Sequence, residues 1–195
     1  MDIQPITLEG RVVRLEPAEL RHATGLAKHA QPDPDIFDYH FPPPTLDEDG
    51  FSKLITHMNQ RPNWLFFAIV LKQSNEAIGT TAYLDIQSHN RHLEIGFTWI
   101  PKAYHGTNVN PEMKYLMLHH AFEDQDALRV QLKTDGRNTQ SQRAIEKLGA
   151  KKEGILRKHV VMPDGFVRDT VMYSIIRDEW AQVKAGLEAR LGYSP

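Results

Sequence analysis

Residues 93–120 carry the pattern that most limits how this chain can fold. Leu93-Glu94-Ile95-Gly96-Phe97-Thr98-Trp99-Ile100 alternates apolar and polar side chains, the period of a strand with one buried face. That period puts Leu93, Ile95, Phe97 and Trp99 on one side and Glu94, Gly96 and Thr98 on the other. A loop with one glycine, Gly106, follows. Asn110-Pro111-Glu112 then reads as a helix start: Asn caps, Pro takes the first helical position and the acid favours the dipole. Met113, Leu116, Met117, His120 and Ala121 form the inner face of that helix. A strand feeding a glycine-bearing loop and a helix N-terminus presents free amide N–H groups at the positive end of a dipole. The arrangement suits an anion such as a pyrophosphate, although many turns of this kind bind nothing.

The rest of the chain supplies the frame. At 195 residues, 41% of them hydrophobic, there is material for one core, and residues 1–195 read as a single domain. Two proline clusters, Gln31-Pro32-Asp33-Pro34 and Phe41-Pro42-Pro43-Pro44, bound a long irregular loop. Before it, Leu20, Ala23, Ala27 and Ala30 recur at helical spacing. After it, Thr45-Leu46-Asp47-Glu48 matches a capping box and Phe51, Leu54, Ile55 and Met58 form a helical stripe. Residues 65–71 and 77–84 read as a hairpin, and Leu128, Val130 and Leu132 alternate as a strand. Asn138 caps a short helix that Gly149 ends. Residues 155–161 and 167–176 flank the turn Met162-Pro163-Asp164-Gly165-Phe166. Trp180, Val183, Leu187 and Leu191 mark a last amphipathic helix. The order β-α-α-β-β-β-α-β-α-β-β-α specifies an α/β chain with a mixed sheet and helices on both faces.

Composition removes several functions. The chain has no cysteine, so thiolate nucleophiles, disulfide frameworks and cysteine-ligated metals are excluded. Lys and Arg number 23 against 25 Asp and Glu, a net charge of −2, which argues against a general nucleic-acid binder. No apolar run reaches the 18 or so residues of a membrane span, and residues 1–15 lack a signal-peptide core; a cytoplasmic location is the expectation. His119 and His120 are adjacent, so on a helix they point about 100° apart and cannot share an ion. No metal is expected.

Several stretches together resemble the GNAT superfamily of N-acetyltransferases: Leu93-Glu94-Ile95-Gly96, residues 104–114, Arg129-Val130-Gln131-Leu132-Lys133-Thr134-Asp135, residues 138–150, and Glu153-Gly154-Ile155-Leu156-Arg157. More narrowly, the chain is similar to the branch of bacterial ribosomal-protein N-terminal acetyltransferases, over residues 11–180. The resemblance implies a mostly antiparallel sheet of about seven strands, splayed between the fourth and fifth, and acetyl-CoA as donor. It places the pyrophosphate on Tyr104, His105, Gly106, Thr107, Asn108, Val109 and Asn110. It runs the pantetheine along Thr98, Trp99 and Ile100, with strand-four backbone holding the oxyanion. Asn138 would bond the pantetheine amide, with Ser141 and Arg143 on the helix behind it.

Two departures from the family stand out. Its loop pattern, Gln/Arg-x-x-Gly-x-Gly/Ala, falls on residues 103–108, where only Gly106 is kept. Ile145 stands where many relatives place a thiolate-protonating Tyr; Ser141 matches the serine to which the ribosomal branch looks instead.

Individual residues carry competing readings. Glu94 is either the base that takes the proton of an attacking amine or a solvated carboxylate, paired for example with Arg129. Asn138 is a plain N-cap as well as a pantetheine ligand. Ser141 is a general acid or an ordinary first-turn serine. Tyr39, His40 and Phe41 either wall an acceptor groove or form an exposed aromatic turn. The acceptor implied is a protein α-amino group. A small amine (polyamine, aminoglycoside or amino acid) is the alternative within enzymes, and a non-catalytic acyl-CoA-binding module the alternative outside them. The chain would act as a monomer or homodimer.

Overall fold

Two apolar clusters on opposite faces of one twisted sheet organise the chain. The structure, a computed structural model, describes residues 1–193. Its strands are β1 (Leu8–Glu9), β2 (Val13–Pro17), β3 (Leu65–Leu71), β4 (Glu76–Gln87), β5 (His92–Trp99), β6 (Arg129–Asp135), β7 (Lys151–Val161) and β8 (Val167–Ile176). Its helices are α1 (Ala23–Ala30), α2 (Glu48–Asn59), α3 (Val109–His119), α4 (Thr139–Leu148) and α5 (Arg177–Leu191). The strands form one eight-stranded sheet in the order β1-β2-β3-β4-β5-β6-β8-β7. Among the described residues only β5 and β6 run parallel, as the α3 crossover between them requires. The strand beyond the expected seven is β1, two residues that fold back on β2.

The helices divide unevenly between the faces. On one face, α1 and α2 bury Leu26, Phe51 and Ile55 against Phe66, Ala68 and Trp99. On the other, α3, α4 and α5 bury Met113, Met117, Ile145, Val183 and Leu187 against β2–β6 and β8. The first layer reaches no further than β5. Among the described residues, the face of β6 and β8 next to α1 and α2 therefore carries mostly polar side chains, Gln131, Lys133, Asp135, Thr170 and Ser174, with Met172 opposite Lys133. In the β6–β8 register, Gln131 lies opposite Ser174 and Asp135 opposite Thr170.

Three expected boundaries shift, each for a local reason. Asp47, not Thr45, caps α2: its carboxylate accepts from the Gly50 amide at 2.9 Å, and the Thr45 hydroxyl donates to that carboxylate at 2.6 Å. A carboxylate is the stronger acceptor, so the hydroxyl serves it. Helix α3 starts at Val109 with Asn108 at its N-cap. Pro111 thus falls at the third helical position, still within the first turn, where its missing N–H costs nothing. Residues 34–37, expected as loop, close a 3₁₀ turn. Asn138 caps α4 through the Ser141 amide at 2.9 Å, and Gly149 ends the helix at φ +102°.

Glu112, wholly buried in the first turn of α3, ties that helix to the chain's N-terminal part. Its carboxylate accepts from the amides of Arg11, Val12 and Val13 at 2.8, 2.7 and 2.6 Å, and from the Tyr193 hydroxyl. Replacing it with Ala strands these donors. Glu112→Ala should destabilise the fold by about 3 kcal/mol, read as a shifted urea midpoint at unchanged slope.

Candidate active site

The strand β5 does not keep the simple alternation its sequence shows. Its partner β4 advances two residues, from Ala82 to Thr80, while β5 advances three, from Gly96 to Trp99. The extra residue is a β-bulge, and Phe97 sits in it at φ +52°, a left-handed conformation that costs a bulky residue roughly 1–2 kcal/mol. Side chains change face there. Leu93 and Ile95 join the cluster under α3, but Phe97 and Trp99 join the α1–α2 cluster. Trp99 packs between Phe37 and Phe51, with ring centroids at 5.3 and 5.7 Å. The expected common face of Leu93, Ile95, Phe97 and Trp99 is therefore corrected: the bulge divides it. Pairing of β5 with β6 ends at Glu94–Gln131, so residues 95–99 have no strand neighbour on that side. The sheet is splayed there.

At the open end of the splay, residues 102–104 form a 3₁₀ turn leading to Gly106 at φ +78°. A Cβ added to Gly106 would meet nothing within 4 Å. Among the described residues, the amides of Gly106, Asn108 and Asn110 find no acceptor in the fold. Asn108, not Asn110, stands at the α3 N-cap, and its side chain makes no capping bond. The loop thus offers free donors facing open space at the positive end of a helix, and it fits a pyrophosphate. His105 spans the opening: its Nε2 is 2.9 Å from the Ile100 carbonyl and its Nδ1 3.1 Å from Gln140 Nε2 on α4. Ser141 sits in the first turn of that helix. Arg143 is exposed one residue beyond Gln142, and Ile145 points into the core.

Glu94 lies at the closed end, and it is buried. Its carboxylate is 2.6 Å from Lys133 Nζ and 3.2 Å from Gln131 Nε2. Arg129 is engaged elsewhere, with Glu153 at 2.5 Å, and this pairing pushes the Glu153 carboxyl down to about 2. Over Glu94 opens the bare face of β6 and β8. The loop from α1 closes one side: the Arg168 guanidinium reaches the Tyr39 carbonyl, and Arg137 lies between the rings of Phe166 at 3.6 Å and Tyr39 at 5.4 Å. Burial opposes ionisation of Asp135, but the hydrogen bonds from the Arg137 side chain and amide outweigh it and hold that carboxyl below its usual range. Burial, reinforced by Arg168, pushes the His40 imidazole down to about 4, so it is neutral near pH 7. Phe41 turns the other way and lines a cavity against α2 and Phe97. Tyr39 and His40 gather at Arg168, whose charge also reaches Glu94, while Phe41 lines the separate cavity against α2. Thr98 and Trp99 direct their side chains into the two cores and offer the splay only backbone.

Lys114 is a residue that sequence reasoning passed over. It is buried on α3, and its Nζ donates to Thr98 Oγ1 at 3.1 Å. Thr98 in turn shares a hydrogen bond with Thr81 at 2.8 Å. Among the described residues no carboxylate accompanies this amine, and burial pushes it down to about 7. The signal was available: seven residues before Ala121, Lys114 lies about 20° from it around a helix and so on the inner face.

The family profile described as Acetyltransferase (GNAT) domain matches residues 13–151. A T. thermophilus crystal structure described as an acetyltransferase superposes with TM-score 0.90 at 40% identity, covering 98% of this chain and 100% of that one. The uncharacterized N-acetyltransferase p20 of Bacillus licheniformis is 26% identical, over 90% of this chain and 98% of its own. The ribosomal-protein-S5-alanine acetyltransferase of Vibrio fischeri shares the fold at TM-score 0.72 and 19% identity, with 90% and 98% covered. A splayed sheet with a donor-lined loop at the mouth of the splay defines an acetyl-CoA-dependent acyltransferase. The chain belongs to the GNAT family of N-acetyltransferases. Among the described residues no helix is long and apolar enough to cross a membrane.

The folded-state value of Lys114 lies below its ordinary 10.5, so between pH 7 and 10.5 the unfolded chain binds the extra proton. Stability attributable to this site should rise with pH across that window, by up to about 1.4 kcal/mol per unit, and be flat below it. Lys114→Met should stabilise the protein near pH 7. The difference between wild type and variant in urea titrations should shrink from pH 7 to 10.

Proposed function

We propose that this enzyme acetylates a protein or peptide α-amino group, with Glu94 as the base. The observation that carries the reading is the position of Glu94: buried at the closed end of the splay, in the last pair before β5 and β6 part, beside the polar face of β6 and β8. Bound acetyl-CoA supplies the acetyl group as a thioester. The amides of Gly106, Asn108 and Asn110 would hold its pyrophosphate, and backbone of residues 97–100 its pantetheine, with Asn138 beside it. Lys133 keeps the Glu94 carboxylate oriented toward β6, and Gln131 donates to the same oxygen. The carboxylate takes the ammonium proton from an incoming acceptor, directly or through water. The Ser141 hydroxyl, which has no partner among the described residues, would return a proton to the leaving sulfur, and Arg143 adds positive charge on the same helix. Tyr39 and His40 wall the acceptor cleft, and a neutral His40 adds no charge to repel an incoming ammonium. An α-amine, with an ordinary value near ~8, needs only a mild base, whereas a lysine ε-amine near ~10.4 needs more. The S5-alanine acetyltransferase of Vibrio fischeri, alike in fold, is named for a ribosomal-protein acceptor, which agrees with a polypeptide substrate.

Two variants separate the halves of this reading. Gly106→Val puts a β-branched residue at φ +78°, with its Cβ in the open space of the loop; acetyl-CoA should bind at least about tenfold more weakly by calorimetry, with the melting temperature lowered by only a few degrees by the strained backbone. Glu94→Gln should lower turnover of an α-amine peptide by roughly 10²-fold at unchanged acetyl-CoA affinity. The deficit should narrow as pH rises and the acceptor loses its proton unaided. Parallel pH–rate profiles of equal height would remove Glu94 from the mechanism.

A further inference from the structure

On the other side of Phe97 from the splay lies a cavity of about 370 Å³. Its walls are Phe41 and prolines of the loop after α1, Met58 of α2, Trp64 and Phe97 itself. The bulge creates it, because only the reversed face of Phe97 brings that ring to Trp64, 6.2 Å away, and to Phe66, 5.8 Å away. Gly96 and Glu94 share the face on which the cavity opens: a Cβ on Gly96 would stand 3.1 Å from Glu94 Oε1. Phe97, the β5 residue that lines the cavity, follows Gly96 directly and stands three residues beyond the proposed base.

The rim of this cavity has one sign of charge. Lys53, His57 and Arg61 follow one another at four-residue intervals along and just beyond α2, and among the described residues no Asp or Glu lines the space. Lys53 is paired with Asp49 at 2.5 Å. Arg61 has no carboxylate partner among the described residues. It donates to His57 Nε2 at 3.1 Å and lies over the Trp64 ring at 5.3 Å. A guanidinium held on an indole, with donors still unused, is a ready partner for a carboxylate.

We propose that this cavity selects the acceptor: it holds an apolar, preferably aromatic, side chain on the carbon next to the reacting amine, and Arg61 pairs with a carboxylate that follows within one residue. The volume accommodates a ring and one further residue. The substrate class is then an α-amine of an apolar residue with an adjacent acid. A polypeptide N-terminus of the form apolar–acidic and a free aromatic amino acid share this chemistry. The inference rests on the α-amine acetyltransferase reading and adds to it the identity of the first side chain and the charge beside it.

The test compares acetylation of three tripeptide amides, Phe-Glu-Ala, Phe-Lys-Ala and Gly-Glu-Ala, and of free phenylalanine, by wild type, Arg61→Glu and Trp64→Ala. Wild type should favour Phe-Glu-Ala by about tenfold in kcat/KM over either other peptide. Arg61→Glu should reverse the Glu-over-Lys preference, and Trp64→Ala should remove the Phe-over-Gly preference, both with unchanged KM for acetyl-CoA. Arg61→Gln, which only neutralises the rim, should level Glu and Lys. Efficient turnover of free phenylalanine would identify the small acid as the source of the shared chemistry; turnover of the peptide alone would identify a polypeptide. Equal kcat/KM on all three peptides would overturn the cavity assignment while the α-amine reading stood. If no amine is turned over, the α-amine reading fails. Calorimetric binding of N-acetyl-Phe-Glu-Ala amide, weakened in Arg61→Glu, would then still support the cavity, and absence of binding would overturn it.

Discussion

One extra residue in β5 governs the rest of the structure. The bulge at Gly96–Phe97 breaks the register with β4, and β5 leaves β6 at the same level. A left-handed phenylalanine is costly, so the surroundings must hold it. The Phe97 ring is fixed between Phe66 and Trp64, and Trp99 two residues on between Phe37 and Phe51. Aromatic burial of this extent, at roughly 25 cal/mol per Å² of apolar surface, exceeds a strain of a kilocalorie or two. Backbone strain upheld by tight packing is a feature of functional sites, and here it divides the side chains of β5 between the two faces of the sheet.

The placement of helices follows the same division. Because α1 and α2 end their coverage at β5, the sheet beyond it keeps a polar face, and a chain of charges from Glu94 through Lys133, Asp135, Arg137 and Arg168 occupies it. Helix α3 works on the opposite side with two buried ionisable groups of opposite type, two residues apart. Glu112 accepts three amides and a hydroxyl and sits where the dipole favours an anion. Lys114 has a single hydroxyl and loses its proton readily. The first fastens the helix to the N-terminal strands, and with it the loop that would cradle a pyrophosphate. The second meets the bulge through Thr98, so the cradle and the splay are joined by one helix.

Much of this was legible in the residues. Helical stripes and alternation located β6, α2, α4 and α5, because each buries one continuous face and its pattern is local; they located β5 as well, though not the division of its face. Asn138 and Gly149 were read correctly since a cap and a left-handed C-terminus each depend on a single residue type. The start of α3 and the cap of α2 moved by about two residues, since competing side chains were equally plausible in sequence and geometry chose between them. The partner of Glu94 was not legible. Arg129 and Lys133 both lie on β6, and only the pairing of Arg129 with Glu153 on β7 left Lys133 free for Glu94.

The sequence by itself determined the order of elements, the absence of thiol chemistry, the glycine-bearing loop ahead of α3 and the family. Each of these depends on residue identity and spacing along the chain. The tertiary structure alone decided which way Phe97 and Trp99 face, what Glu94 touches, and that Lys114 is buried without a carboxylate. A bulge changes the two-residue period without leaving a distinctive residue, since nothing in Gly96-Phe97-Thr98 announces a positive φ at phenylalanine. That conformation is stable only because α2 and β3 are packed around it.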